Sequence, residues 1–380
     1  MIYFDYAATT PMDLEALEIY NEAAISVFGN TRSLHDAGSR AEQILSACRN
    51  ELAELFSAPP EGIYFTSGGT ESNLLNIISL AKAHSAKGKH VILSMGEHAS
   101  VYSAVHYLKD LGYELTEIPF TKDGQVDVNI LVQSIRHDTI LCCVQHVNPE
   151  TGVIQPIQEI AGIMQNRGIL LHCDCVQSFG KLPLHNITPV VDSLSVSSHK
   201  VYGPKGVGAA YINPRHSISP VFPGFHHERG FRGGTLNVPG IAAFVFAAQK
   251  LYGENAKQAE YAVLRKAFIE ELSGEKDIAE IFQAQNTFQL PQIIGLRIFG
   301  VEGQYTMLEC NRNGYAISTG SACQAGQTMP SAAMRAMGIS ENKAKEFIRI
   351  SFGKETVLQD AVDLARCLKA IGSMKLFRNH

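Results

Sequence analysis

Residues 62–86 read GIYFTSGGTESNLLNIISLAKAHSA. A short run of β-branched and aromatic residues (63–66) leads into Ser67-Gly68-Gly69-Thr70, and an apolar-periodic stretch follows. The order predicts strand, Gly-rich turn, helix. Backbone N–H groups at a helix start have no intrahelical partner, and glycines let a ligand approach them closely, so the turn is a candidate phosphate cradle. It is not a Walker A loop, because the Lys-Ser/Thr ending is missing. A plain strand-to-helix turn would read the same way.

Outward from this unit, the pattern repeats. VILSMG, TEIPF, TILCCVQHV, GILLHCDC, SLSVSSH and GVGAAYI are strand-like, with helical stretches such as IQPIQEIAGIMQNRG between several of them. Residues 13–28 and 38–56 also read as helices. Strands alternating with helices predict an α/β fold with a mostly parallel sheet covered on both faces. After about residue 250 the pattern changes. An amphipathic helix over 256–273 is followed by IIGLRIFG, YAISTGSAC, AMRAMG, FIRISFG and a last helix over 355–371. This predicts a large domain over 14–253 and a smaller α+β domain built from 1–13 and 254–380.

The 380-residue chain is 45% hydrophobic and 18% charged, which is ordinary globular composition with enough chain for two domains. Its formal net charge of -5 supplies no general attraction to nucleic acid or an anionic membrane. No apolar run reaches the roughly 18 residues of a membrane-spanning helix. The start, MIYFDYAATTPMD, lacks a basic stretch followed by an apolar one, so a cytoplasmic protein without a secretory signal is expected. Most of the eight cysteines sit in apolar or helical patterns and read as reduced core residues.

A few positions carry candidate chemistry. Lys200, in SVSSHKVYGPKGVG, follows a strand within small and polar residues; such a lysine either forms a Schiff base with an aldehyde or is a surface turn residue. Asp174, in LLHCDCVQS, ends an apolar run, where a carboxylate needs a partner: a ring N–H or the next helix start. His98, in GEHAS, follows a strand end and is either structural or an acid/base group beside an aromatic ligand. Cys323, in STGSACQAG, is the cysteine in a polar Gly/Ser stretch, where a thiol is accessible and able to ionise or merely an unreactive loop residue.

Taken in order, Gly-Gly-Thr, His, Asn, Asp-x-x-Gln, Ser-x-His-Lys, Arg-x-Gly-Thr, Ser-Ala-Cys and Arg resemble the NifS/IscS-type cysteine desulfurases, from YFDYAATTP nearly to RISFG. That family has the PLP-dependent transferase type I fold (aspartate-aminotransferase-like). The resemblance implies pyridoxal 5′-phosphate (PLP) bound through Lys200, with Asp174 on the pyridine nitrogen and Gln177 on the phenolic oxygen. His98 would stack on the ring and help in proton transfer, including removal of the Cys323 proton. Gly69, Thr70, Ser197 and His199 would form the phosphate cup, with Thr235 donated by the other subunit of a homodimer. Asn148 and Arg349 would hold the substrate carboxylate, with Asn30 at the same end. Cys323 would take sulfur from L-cysteine as a persulfide and pass it to an acceptor protein, for iron–sulfur cluster assembly, tRNA thiolation or another cofactor.

The chain departs from the family at Thr31 (commonly Pro), Pro149 (commonly Asn) and Cys175 (commonly Ala). The distance from Cys323 to Pro330 suits the subclass with the longer cysteine loop. The short stretch after the last helix implies a reduced scaffold-binding tail, and so a dedicated acceptor. Two alternatives stay open. One is another PLP reaction, selenocysteine lyase or aminotransferase. The other is a metal-binding or sulfur-carrier protein using Cys173, Cys175, His172, His98, His226 and His227.

Overall fold

The computed structural model describes residues 1–253, 258–273, 278–285, 288–319 and 331–376. After β1 (Ile2–Tyr3) and two helices (Leu14–Ser26 and Asp36–Phe56) comes the central sheet. Its strands are β2 (Ile63–Thr66), β3 (His90–Ser94), β4 (Glu114–Ile118), β5 (Thr139–Cys143), β6 (Leu170–Asp174), β7 (Ser193–Ser197) and β8 (Gly208–Ile212). The spatial order is β2-β8-β7-β6-β5-β3-β4. All neighbours pair in parallel except β8, which runs antiparallel to both β2 and β7. The remaining strands are β9 (Ala279–Ile281), β10 (Ile293–Ile298), β11 (Tyr315–Ala316) and β12 (Phe347–Ser351). They form an antiparallel sheet, β12-β10-β9, and a parallel pair, β1-β11.

The period-two geometry of strands divides the core into two layers. Val91, Leu93, Leu141 and Cys143 face one side, where they meet Leu75, Ile78, Val101 and Leu108 of the helices Gly69–Ala83 and Ala99–Asp110. Ile92, Cys142, Leu171 and Cys173 face the other, against Leu52, Phe56, Met164 and Phe244. Strands buried on both faces read as continuous apolar runs, which is why TILCC and LLHCD lack an alternation of polar residues. A third cluster joins Phe4 to Ile294, Leu296, Ile348, Ile350 and Leu364 around the smaller sheet. The described cysteines are free thiols, buried except for half-buried Cys367. No described helix is long and apolar enough to cross a membrane.

One buried ion pair secures the entry to β2. Arg49 donates to both carboxylate oxygens of Glu228, at 2.7 and 3.0 Å, and Glu228 also accepts the Phe65 backbone N–H at 2.7 Å. Removing one partner of a buried pair leaves an uncompensated charge. Glu228→Ala is therefore expected to lower unfolding free energy by about 3–5 kcal/mol in urea titrations. A loss no larger than that of a surface substitution would refute this.

Candidate active site

The parallel arrangement brings the C-terminal ends of β2, β3, β5, β6 and β7 to one edge of the central sheet. Open α/β sheets place their ligand sites at that edge. Here it holds a cavity of about 590 Å³, lined among others by Gly69, Thr70, His98, Asp174, Gln177, Ser197, His199, Lys200 and Arg349. Segments separated by up to 342 residues in sequence thus meet in one space (7 to 349).

The phosphate-sized end is built from backbone. Gly68 has φ 153 and ψ 179, a region essentially closed to residues with a side chain. The helix Gly69–Ala83 starts there with no side-chain cap, so its first N–H groups face the cavity end unclaimed by a capping side chain. A Cβ on Gly69 would lie 2.6 Å from Val176 Cγ2. Ser197 Oγ is buried with no hydrogen-bond partner among the described residues. An orphaned hydroxyl beside an uncapped helix start is the donor set an anion requires.

Lys200 follows β7, and its Nζ donates to the carbonyls of Ala7 and Ala8 at 2.5 and 2.7 Å. The N-terminal segment thereby closes one wall. Gln177 Nε2 donates to the same Ala7 carbonyl at 2.8 Å, while its Oε1 accepts from Lys181 at 3.2 Å. Burial and the positive charges of Lys200 and Arg349 pull Lys181 down to about 7. Asp174 ends β6; Oδ1 accepts the Val176 N–H at 2.9 Å and Oδ2 accepts from Asn73 at 2.7 Å. His98 caps the helix Ala99–Asp110. Its Nδ1 accepts the Ser100 N–H at 3.1 Å and lies 2.8 Å from Ser100 Oγ. A ring nitrogen that accepts a backbone N–H carries no proton of its own, so the neutral His98 ring is protonated at Nε2.

The other end of the cavity is cationic. Arg349, on β12, donates to Asp5 at 2.7 Å and to the Pro149 carbonyl at 3.0 Å, and its Nε is buried without a partner among the described residues. Asn148 lies in the wall between the cavity-lining Val147 and Pro149. Its Oδ1 accepts from Glu150, Thr151 and the Thr151 hydroxyl, and its buried Nδ2 has no partner among the described residues. Two orphaned donors at one end of the cavity suit a small carboxylate.

Asn30 and Thr235 are exposed and do not line the cavity of this chain. Cys323 lies outside the described residues. The chain enters that segment from Ser318, which exchanges backbone hydrogen bonds with Arg349 at 2.7 and 3.2 Å. It re-emerges at Ser331, whose hydroxyl donates to the buried Glu150, which also accepts the Ala333 N–H at 2.9 Å. Both described flanks are therefore tied to the Arg349–Asn148 end. Among the described residues, no group of three or more His, Cys, Asp and Glu could hold a metal, although Cys173 and Cys175 Sγ lie 3.7 Å apart.

Sequence reading missed Asn73, Lys181 and Asp5, and took His172 only as a possible metal ligand, where the structure has it hydrogen-bonded to Asn73 and Ser193. Asn73 left a weak signal: Ser72, Asn73, Asn76 and Ser79 are all buried, a polar stripe at helical spacing inside an otherwise apolar helix.

An amine able to condense with an aldehyde, a carboxylate suited to a ring N–H and a cup for phosphate have one common complement, pyridoxal 5′-phosphate. Fold and cavity together define a PLP enzyme of the type I fold. The chain belongs to the class-V aminotransferase family, whose model matches residues 2–364 and whose members are PLP-dependent. It is 45% identical over 379 residues to a putative cysteine desulfurase NifS of Bacillus subtilis (strain 168), spanning 99% of this chain and 95% of that protein. It is 40% identical to cysteine desulfurase IscS of Anaeromyxobacter sp. (strain Fw109-5), spanning 96% and 91%. The solved structure of a NifS-like protein superposes with a TM-score of 0.89 at 29% identity, over 98% of this chain and 99% of that one. The structure of SspA in complex with cysteine superposes with a TM-score of 0.80 at 30% identity, over 94% and 100%.

Two histidines set an acid limit on the fold. Burial, then Lys200, Lys205 and Lys181, pull His199 from 6.5 to about 4, and burial alone pulls His172 to about 3. Between the folded and unfolded values the unfolded chain binds more protons, so their contribution is complete above about pH 6.5 and is lost as pH falls through that window. Glu97, pushed up to about 8 by burial, acts in the opposite sense, and its effect cancels between two proteins that share it. The urea midpoint of the cofactor-free protein should drop more from about pH 7 to about pH 5 in the wild type than in His199→Asn. Equal drops would contradict the burial argument.

Proposed function

We propose that this chain is a cysteine desulfurase that converts L-cysteine to L-alanine and retains the sulfur as a persulfide on Cys323. The observation that carries the reading is the cavity itself, which brings Lys200 together with the Gly68–Gly69 turn, Ser197 and Arg349, beside the orphaned donors of Arg349 and Asn148. Relatives named cysteine desulfurase at 40 and 45% identity support it.

Gly69, Thr70, Ser197 and His199 hold the cofactor's phosphate, and Thr235 reaches it from the second subunit of a homodimer. The exposure of Thr235, with Phe28, Leu34, Phe222 and Phe225 also exposed, fits such a pairing face. Asp174 would keep the pyridine nitrogen protonated, Gln177 would hold the phenolic oxygen, and His98 would cover the ring. When bound, PLP supplies an electron sink that loosens bonds at the substrate's α-carbon and, through it, the Cβ–S bond.

Arg349 and Asn148 hold the substrate carboxylate. Lys200 would attach the cofactor and would carry the Cα proton of the substrate. The Cys323 thiolate attacks the substrate sulfur, the Cβ–S bond breaks, and Cβ takes a proton to give alanine. Atoms balance: cysteine and the Cys323 thiol become alanine and the Cys323 persulfide. A thiol of ordinary pKa, about 8.5, is only a few per cent ionised at about pH 7, so its proton must be removed in the site. The persulfide then passes to an acceptor protein in the cytoplasm, for iron–sulfur clusters or another sulfur-containing product.

The purified protein should show an absorbance band at roughly 390–420 nm that changes when L-cysteine is added, with alanine and sulfide released under reductant. A protein that stays colourless with added PLP would overturn the reading. Cys323→Ala should keep the band and lose sulfur release; full cysteine-dependent turnover would remove Cys323 from the mechanism. Lys200→Ala should alter the band and abolish turnover, and an unchanged spectrum and rate would remove Lys200.

A further inference from the structure

Asp174 and His98 reach the cavity from different strand ends, yet one buried side chain connects them. Asn73 lies in the second turn of the helix Gly69–Ala83. Its Nδ2 donates to Asp174 Oδ2 at 2.7 Å and to Ser100 Oγ at 2.9 Å. Its Oδ1 lies 3.0 Å from His172 Nε2. Beyond these, His172 Nδ1 is 2.8 Å from Ser193 Oγ, and Ser100 Oγ is 2.8 Å from His98 Nδ1.

The direction of every bond in this chain follows from donor and acceptor chemistry. Asp174, as a carboxylate facing a ring N–H, only accepts, so Asn73 must turn its NH₂ toward it. The amide oxygen then faces His172, which must donate from Nε2 and accept the Ser193 hydroxyl proton at Nδ1. Full burial keeps the His172 ring neutral, so this polarity persists at working pH. The second Asn73 N–H takes one of the two lone pairs of Ser100 Oγ and orients the hydroxyl, whose proton points to His98 Nδ1. That nitrogen already accepts the Ser100 backbone N–H, so the His98 proton stays on Nε2.

We propose that Asn73 is a positioning residue for the reaction: one amide holds the Asp174 carboxylate and, through Ser100, fixes His98 as an Nε2–H donor. The inference rests on the assignment of Asp174 and His98 to the cofactor made above. It has a consequence for mechanism. A neutral His98 with its proton on Nε2 donates to a group in the cavity and does not take the thiol proton of Cys323.

Asn73→Asp tests this with no change of side-chain shape, because it replaces both N–H donors by an acceptor. Ser100→Ala cuts only the hydroxyl link to His98. Two readouts apply: the pH midpoint of the bound cofactor's visible band in the holoenzyme, and the His98 tautomer from ¹⁵N-histidine NMR of the cofactor-free chain, with His98→Asn to assign the signal. The wild type should show the Nε2–H tautomer. Asn73→Asp should shift the band's midpoint by about one pH unit or more and populate the Nδ1–H tautomer. Ser100→Ala should shift the tautomer population and leave the midpoint within a few tenths of a unit, about the effect of an indirect contact. Wild-type midpoint and tautomer in a folded Asn73→Asp protein would overturn the proposal, as would an Nδ1–H tautomer in the wild type. If Asn73→Asp does not fold, Asn73→Ser supplies the same two readouts. Asp174→Asn separates the two levels of argument. If it too leaves the midpoint unchanged, the assignment of Asp174 to the cofactor fails; if it shifts the midpoint and Asn73→Asp does not, the bridging role fails.

Discussion

A carboxylate at the end of a strand buried on both faces must be hydrogen-bonded, and the interior around Asp174 is organised by that requirement. Asp174 cannot be satisfied by its own strand, whose backbone groups are engaged with β5 and β7. The partners come instead from the next turn, Val176, and from a helix more than 100 residues earlier, Asn73. Placing Asn73 there sets the rotation of the whole helix Gly69–Ala83. The same helix start lies against Ser197 through its Gly68–Gly69 turn, so one constraint positions the carboxylate and the phosphate-sized cup together. Asn76, one turn later, donates to the Leu194 carbonyl and holds the helix to β7.

A second tie crosses the cavity. The segment from Asp5 to Thr10 touches four polar groups of the site. Ala7 and Ala8 carbonyls receive Lys200, Ala7 also receives Gln177, Thr9 contacts His199, and Asp5 pairs with Arg349. The same segment is held to the smaller sheet by Ser351, whose hydroxyl accepts the Ala7 N–H. Lysine and arginine ends of the cavity are thus registered by one stretch of backbone. Arg349 is deeply buried and spends one amine on Asp5 and another on Pro149, which leaves Nε directed by both. A guanidinium fixed in this way presents its remaining donor without the entropy cost of ordering a long side chain.

Much of this was legible in the chain. Short continuous apolar runs between helical stretches determined the α/β class and the burial of TILCC and LLHCD, because run length and helical periodicity are local properties. The Gly68-Gly69 turn, Asp174 at a strand end and Lys200 after a strand were each marked by local chemistry. Their convergence was expected only through the family resemblance, since no spacing along the chain brings residues 69, 174 and 200 together. What tertiary structure alone decided is how those groups are held. Parallel strand order placed their ends on one edge, and packing chose which face of the helix Gly69–Ala83 met β6, so that Asn73 and not a neighbour reaches Asp174. The tautomer of His98 follows from its cap on the Ser100 N–H, with Asn73 adding to it through the Ser100 hydroxyl. Hydrogen-bond direction depends on which donor and acceptor meet in three dimensions, and a sequence records the groups but not the meeting.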